Sequence, residues 1–442
     1  MRISKKPRYN LNLIVQETGL KADTIRAWER RYGLPQPSRT TGGHRLYSDY
    51  DLKILNWLSQ RKKDGMRISQ AAINFQELIE AGEDPFQPPI KTDLPAIMAQ
   101  DPGARDSLEK LKDQWLAYCY QFEEAKAEQI LSQAFAQFPV HAVCTDLILR
   151  SLRKVGEEWY TGKITIQQEH FTSEIAERKL QSLISTAPNA VHSQRVLIGC
   201  PPGEQHTILP LMMTLLLKNR GWQTIYLGAN VPLIELQNTV DEAGVDLVIL
   251  SANRLVTSAA LFDTINLLAG SGIPVAFGGW IFNQVEGLIN QFPALYLGND
   301  LGAAVNSVED FLLNPTNLSL NNPLENPYPV LIQKFDNIIP QLNQIILTES
   351  EKRGVSLPAT NILNANADLT GDILAALSLG NIDYLIPNLV WAYNLLGKRN
   401  LNGNTFEKYI SVYLFGIEEI LGNSAKPIID FLKNLDGVNP VK

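Results

Sequence analysis

Apolar and polar positions divide the chain into stretches of different texture. Near the start, the spacing predicts a short helix over Asn12–Thr18, stopped by Gly19, and a second over Ala22–Tyr32, broken by Gly33, Pro35 and Pro37. Ser38–Tyr47 (SRTTGGHRLY) reads as two short strands around the Gly42-Gly43 turn. Ser48-Asp49-Tyr50-Asp51 has the form of a capping box opening a helix through Lys63, and another helix follows Ile68. A helix-turn-helix with a β wing results. Residues 82–103, rich in proline and acid, read as a linker. Residues 104–187 are helical throughout: Val140, Cys144, Leu147, Ile148, Leu152, Val155 and Trp159 recur on one helical face, as in a bundle of three or four helices.

From 195 to 312 the texture changes to apolar strands alternating with amphipathic helices. The strands are RVLIGC (195–200), QTIYLG (223–228), LVILS (247–251), PVAFGG (274–279) and LYLG (295–298). Such βα units form a parallel, doubly wound sheet, here expected in the flavodoxin-like order 2-1-3-4-5. Ligands of these sheets sit beyond the carboxyl ends of the strands, beside strand one. After an Asn/Pro-rich stretch at 313–327, helices return at Val330–Glu351, Leu369–Leu379, Ile382–Leu396 and Phe406–Leu421 without a recognisable motif. The expected architecture is multidomain. It runs from a winged helix-turn-helix head (1–81) through a linker (82–103), a helical bundle (104–187) and an α/β doubly wound, flavodoxin-like parallel sheet (190–313) to an α-helical C-terminal extension (328–442).

Composition narrows the function. With 45% apolar and 19% charged residues over 442 positions, the chain is globular and a long disordered protein is excluded. No apolar run is long enough for a bilayer, and Ile3 is followed at once by Ser4, Lys5 and Lys6, unlike a secretory signal. Cys119, Cys144 and Cys200 are odd in number, widely spaced and without a CxxC pair. They suit neither a disulfide scaffold nor a structural zinc site, and the expected location is the cytoplasm. Charge is unevenly spread. Residues 1–70 hold 15 Lys and Arg against 6 Asp and Glu, while the whole chain carries a net −7. A basic head on an acidic body suggests nucleic acid at one end and sensing or assembly at the other; a solvated charged face is the plainer alternative.

Motifs favour the first. In TIRAWERRYG, Arg26 and Arg30 lie at i and i+4 on one face of the second helix, as a helix reading the major groove requires. Arg39, His44, Arg45 and Tyr47 line the expected wing. The run TIRAWERRYGLPQPSRTTGGHRLYSDYDL resembles the N-terminal domain of MerR-type transcription regulators, over residues 8–78. The resemblance implies DNA contacts from Arg26, Arg30, Arg39, His44, Arg45 and Tyr47, with Trp28 packing or reaching the backbone. It also implies a homo-oligomer, dimer or tetramer, on a roughly palindromic double-stranded operator. Metal-sensing members carry a long dimerisation helix and cysteine ligands, which this chain lacks.

The loop after strand one reads Gly199-Cys200-Pro201-Pro202-Gly203-Glu204-Gln205-His206. A neutral imidazole at this switch point is able to ligate a metal, although a loop histidine is more often merely solvated. PPGEQH, then LGANVP (227–232), Ser251-Ala252 and Gly278-Gly279 resemble a cobalamin-binding domain with a histidine-on-cobalt motif. Trp159, followed ten positions later by Glu169-His170, resembles the cap bundle of CarH/LitR-type light-sensing repressors. The resemblance implies adenosylcobalamin or methylcobalamin as cofactor. In that reading His206 is the axial cobalt ligand with Glu204 in the same loop, Ser251, Gly278 and Gly279 lie along the nucleotide tail, and Trp159, Glu169 and His170 surround the upper ligand. Two positions depart from the pattern. Leu209, before Pro210, stands where the family has glycine, and Tyr160 stands where the light sensors have a second histidine.

The functional expectation is a DNA-binding transcription regulator, a repressor, controlled through a cobalamin-binding-like sensor and open to a light response; it is not an enzyme and has no membrane partner. The alternatives are a regulator whose degenerate cobalamin fold takes no effector, a different tetrapyrrole or a protein, and, with less support, a corrinoid methyl carrier. The C-terminal extension is open to packing or to a protein partner.

Overall fold

The computed structural model describes residues 6–39, 43, 45–63, 68, 72, 75, 102–270, 272–315, 325–398 and 403–437. The chain divides into two compact units, Met1–Ile97 and Met98–Lys442.

In the first unit the helix Leu11–Thr18 starts at Asn10, whose side chain accepts from the Leu13 amide, and stops at Gly19 in the left-handed region. The helix Ala22–Tyr32 ends the same way at Gly33. Strands β1 (Ser38–Arg39) and β2 (Arg45–Leu46) pair antiparallel, Arg39 opposite Arg45. Ser48 and Asp51 cap the helix Asp49–Lys63 reciprocally: the Asp51 amide donates to Ser48 Oγ, and the Ser48 amide and hydroxyl donate to Asp51 Oδ2. Ile14, Ile25, Trp28, Leu34, Tyr47, Leu55 and Leu58 form the core. Of the expected helix after Ile68, only Ile68, Ala72 and Phe75 are among the described residues, each helical. The linker expected at 82–103 lies outside them up to residue 101, and a helix already begins at Pro102.

The second unit opens with helices Pro102–Tyr120 and Glu124–Gln137, followed by a helical stretch over Val140–Ala142, Val143–Leu149 (a wide π turn) and Arg150–Tyr160, then the helix Ile166–Ser185. Strands β3 (Arg195–Gly199), β4 (Gln223–Gly228), β5 (Leu247–Ser251), β6 (Val275–Gly278) and β7 (Leu295–Tyr296) form one parallel sheet in the order β4-β3-β5-β6-β7. This is the expected 2-1-3-4-5 order. Its switch point opens above β3 and β5.

Strand alternation sends successive side chains to two different cores. Val196, Ile198, Leu247 and Ile249 pack with the helical bundle through Trp115, Leu147 and Leu180. Leu197, Val248 and Leu250 belong to a second core that runs through Leu261 and Ile265 into Ile346, Ile373, Leu385, Tyr413 and Ile417 of the C-terminal helices. Those helices are therefore the outer layer of the α/β sandwich and share its core. The helix read over Val330–Glu351 is in fact two, Pro329–Asn337 and Ile339–Lys352, because Pro340 has no amide to continue the ladder. The helix read from Leu369 begins at Ala359, and the short helix Lys426–Lys433 was not anticipated.

Candidate DNA-reading head and ligand cavity

In the head, the helix Ala22–Tyr32 buries Ile25 and Trp28 and turns Arg26 and Arg30 outward. Arg39 is exposed on β1. Tyr47, expected to contact DNA, falls elsewhere, and Trp28 takes its packing alternative. Tyr47 is fully buried and Trp28 nearly so, both in the core, because an aromatic ring at these positions covers more apolar surface inside than it offers outside. The Tyr47 hydroxyl donates to Glu29 Oε1 at 2.5 Å, and Arg45 Nε donates to Glu29 Oε2 at 2.7 Å. Burial, then the bond to Glu29, raises the Tyr47 phenol above its ordinary range, so it stays a neutral donor. Glu29, unnoticed in the sequence, thus ties the wing to the reading helix. His44 lies outside the described residues.

In the second unit the loop after β3 is braced by its neighbour: the Gly203 amide donates to Asn230 Oδ1 at 2.7 Å and the Val231 amide to Cys200 O at 3.0 Å. Within this loop Glu204 is wholly buried, and its carboxylate is held through both oxygens. Oε1 takes the His206 amide at 3.0 Å and lies 2.6 Å from His206 Nδ1. Oε2 accepts from the Asn253 amide and from Thr257 Oγ1, both at 2.6 Å. Burial alone would raise this carboxyl; the bonds from His206, Thr257 and the two amides outweigh it and bring its pKa down to about 2. The hydrogen bond that His206 donates to Glu204 in turn raises the pKa of His206 above its usual value. In the neutral ring, with Nδ1–H donated to the carboxylate, Nε2 carries the lone pair.

That imidazole is 65% exposed and opens into a cavity of about 1090 Å³ at the carboxyl end of the sheet. Ser251, at the end of β5, lines the cavity; its Oγ is buried and has no hydrogen-bond partner among the described residues. Gly278 and Gly279 line it at the end of β6. Gly279 sits at φ 128°, and a Cβ there would lie 1.9 Å from the Ala252 carbonyl oxygen, so no other residue fits. Leu209 and Pro210 are also on the wall. The bundle supplies Leu149, Leu152, Gly156, Glu169 and Ser173. His170 does not line the cavity: its ring is 74% exposed, 3.1 Å from Glu169 Oε2. Nor does Trp159, because Trp391 of the C-terminal layer stacks on it at 6.4 Å and on Tyr160 at 5.9 Å. The expected ring of Trp159, Glu169 and His170 is thus reduced here to Glu169.

Comparison with known proteins bears on both sites. Residues 9–78 match the family described as MerR HTH family regulatory protein, and residues 111–184 match the B12 binding domain. The HTH-type transcriptional repressor CarH of Myxococcus xanthus is 31% identical over 274 residues, which span 61% of this chain and 88% of that protein. The chain belongs to the CarH-type family of MerR transcription regulators. The repressor CarA of the same organism is 25% identical over 61% of this chain and 85% of its own length. The monomethylamine corrinoid protein of Methanosarcina barkeri aligns with 45% of this chain and 97% of its own at 16% identity and a TM-score of 0.40. As a member of this regulator family the chain is a DNA-binding transcription regulator with a cobalamin-binding-like sensor module. Among the described residues, no helix is long and apolar enough to cross a membrane.

Sequence reasoning missed the third wall of the cavity. Leu369, Asp372, Asn388, Trp391, Phe406 and Tyr409, all from the C-terminal helices, face the same space as His206. No local motif marks them; the one available signal was the apolar periodicity of those helices, which says that they pack but not on what. Thr257 and Asn253 were missed for the same reason, since their role depends on a carboxylate some fifty residues away.

Proposed function

We propose that this chain is a repressor whose hold on a double-stranded operator is set by a corrinoid, adenosylcobalamin or methylcobalamin, in the cavity at the carboxyl end of the sheet. The carrying observation is His206, locked by the buried Glu204 so that its second nitrogen opens into that cavity. Two further features support the fit: the unpartnered Ser251 Oγ, and the backbone cradle at Gly279 that admits no side chain. His206 would hold the metal, Ser251, Gly278 and Gly279 would run beside the nucleotide tail, and Glu169 would meet the group from the bundle side. A bound alkylcobalamin would supply a cobalt that an imidazole can ligate and a cobalt–carbon bond that light can break. The chain's own part is to present an oriented imidazole to that cavity.

Arg26, Arg30 and Arg39 would contact DNA directly, with Arg45 held to the reading helix by Glu29. A ligand that favours a homo-oligomer, dimer or tetramer, raises operator affinity because two heads then bind as one. The cytoplasm is the setting this implies. The division into head, linker, bundle, α/β module and C-terminal helices at the boundaries given above belongs to the same proposal.

Equilibrium dialysis against adenosylcobalamin and methylcobalamin, followed by an absorption spectrum, tests the reading. Wild type should retain a corrinoid, and His206→Ala should lose it or bind at least tenfold more weakly. Leu209 on the cavity wall supports a second reading, in which a branched side chain obstructs the nucleotide tail. On that reading wild type and His206→Ala both bind nothing, and Leu209→Gly restores uptake. No uptake by any of the three would leave a degenerate fold with another effector.

A further inference from the structure

Seven buried side-chain polar atoms lack a hydrogen-bond partner among the described residues, and two of them, Ser251 Oγ and Asp372 Oδ1, belong to residues lining the same cavity. They come from different layers: Ser251 ends a sheet strand, and Asp372 lies in the C-terminal helix Ala359–Ser378. An unsatisfied buried polar atom is costly, so a pair of them around one cavity calls for a common partner. The other Asp372 oxygen, Oδ2, accepts from Asn388 Nδ2 at 2.8 Å, which fixes the carboxyl plane and leaves Oδ1 as the one that lacks a donor. The C-terminal side of the wall also contributes apolar surface from Leu369, Leu389, Leu395, Phe406 and Ile410. At about 1090 Å³ the cavity lies just above the roughly 300–1,000 Å³ usual for small-molecule pockets. Its size depends on the C-terminal wall.

That wall is anchored to the histidine's own support. Glu204 Oε2 holds the Asn253 amide and Thr257 at the start of the helix Leu255–Ala269. Next to it Arg254 pairs with Asp368 at 3.1 Å, one turn before Asp372. The same helix packs on the C-terminal one closely enough that a Cβ at Gly371 would lie 3.3 Å from Val256.

We infer that the C-terminal helices are part of the effector site, with Asp372 and Asn388 binding the primary-amide groups on the rim of the corrinoid that His206 faces. The inference rests on the corrinoid reading above. Such a rim offers N–H donors for Asp372 Oδ1 and carbonyl acceptors for an amide such as Asn388, while the apolar wall covers the macrocycle's edge. A structural role alone would leave Oδ1 unsatisfied in every state of the protein.

The test uses hydroxocobalamin and the full-length chain. Asp372→Asn keeps the shape and the bond to Asn388 but turns an N–H toward the rim; its dissociation constant by equilibrium dialysis should rise at least tenfold. Hydrogen–deuterium exchange on wild type needs no variant: hydroxocobalamin should slow exchange in peptides from 359–398, on the C-terminal side of the cavity, as well as around His206. If wild type binds in a His206-dependent way while Asp372→Asn binds equally well and 359–398 is unprotected, the C-terminal assignment is overturned and the corrinoid reading stands. If wild type takes up no hydroxocobalamin, both fall.

Discussion

Asp372 carries a consequence that needs no ligand. Burial raises its carboxyl from an ordinary 3.8 to about 6, against the pull of the Asn388 bond and of Arg254. A carboxyl that holds its proton more tightly folded than unfolded adds stability in full below 3.8 and loses it as pH rises through about 6. Asp372→Asn, neutral throughout, should therefore be more stable than wild type at pH 8, by up to about 3 kcal/mol at 1.36 kcal/mol per pKa unit. The gain should nearly vanish at pH 4. Urea denaturation midpoints of the unliganded proteins at the two pH values decide it, and an equal difference at both would mean that burial does not perturb this carboxyl. Glu204 titrates in the opposite sense. Its depressed pKa stabilises the loop above the ordinary carboxylate range, and that support goes as pH falls toward about 2.

At the scale of elements, the head depends on how its wing is held to its helix. Arg30 is exposed on the outer face of Ala22–Tyr32, so Arg30→Ala should weaken operator binding by roughly 1–3 kcal/mol and relax sequence preference if the side chain reads a base. Glu29 touches no DNA in this account; it holds Tyr47 and Arg45. Glu29→Ala should weaken binding to all sequences alike while leaving the order of preference unchanged, because it frees the wing rather than the reading face. Gel-shift titrations on operator and scrambled DNA across salt separate the two, and a changed preference order in Glu29→Ala would place Glu29 at the bases instead.

For the whole molecule, the C-terminal layer bears on any response to light. Tyr160 is the second position that departs from the sequence resemblance, and its ring stacks with Trp391 at 5.9 Å and has Lys398 Nζ 4.0 Å from its centroid. His170 points outward. With His170 turned outward and off the cavity lining, illumination of the adenosylcobalamin complex should bleach the alkyl spectrum without leaving a stable bis-histidine adduct. Any change in oligomer size should reverse on adding fresh ligand. Spectra taken on size-exclusion peaks before and after green light provide the measurement, and a lasting bis-histidine spectrum in wild type would refute it. Tyr160→His should make the change durable, at the cost of the stack on Trp391.

Much of this protein was legible in residue order because its signals are local. Gly19 and Gly33 stop helices, Ser48 and Asp51 open one, and strand alternation with intervening helices gave both the parallel sheet and its strand order, since short right-handed βα crossovers leave few other topologies. His206 was found because a strand-end loop at a switch point is a place defined by topology. Other features needed the folded chain. Tyr47 looked like a surface reader, and only packing placed it inside. Trp159 seemed to face the ligand until Trp391, more than two hundred residues later, was seen to cover it. The apolar stripes of the C-terminal helices announce that those faces are buried, but hydrophobic burial has no direction, so nothing in the stripe names its partner. The sheet's second core decided that, and with it the third wall of the cavity.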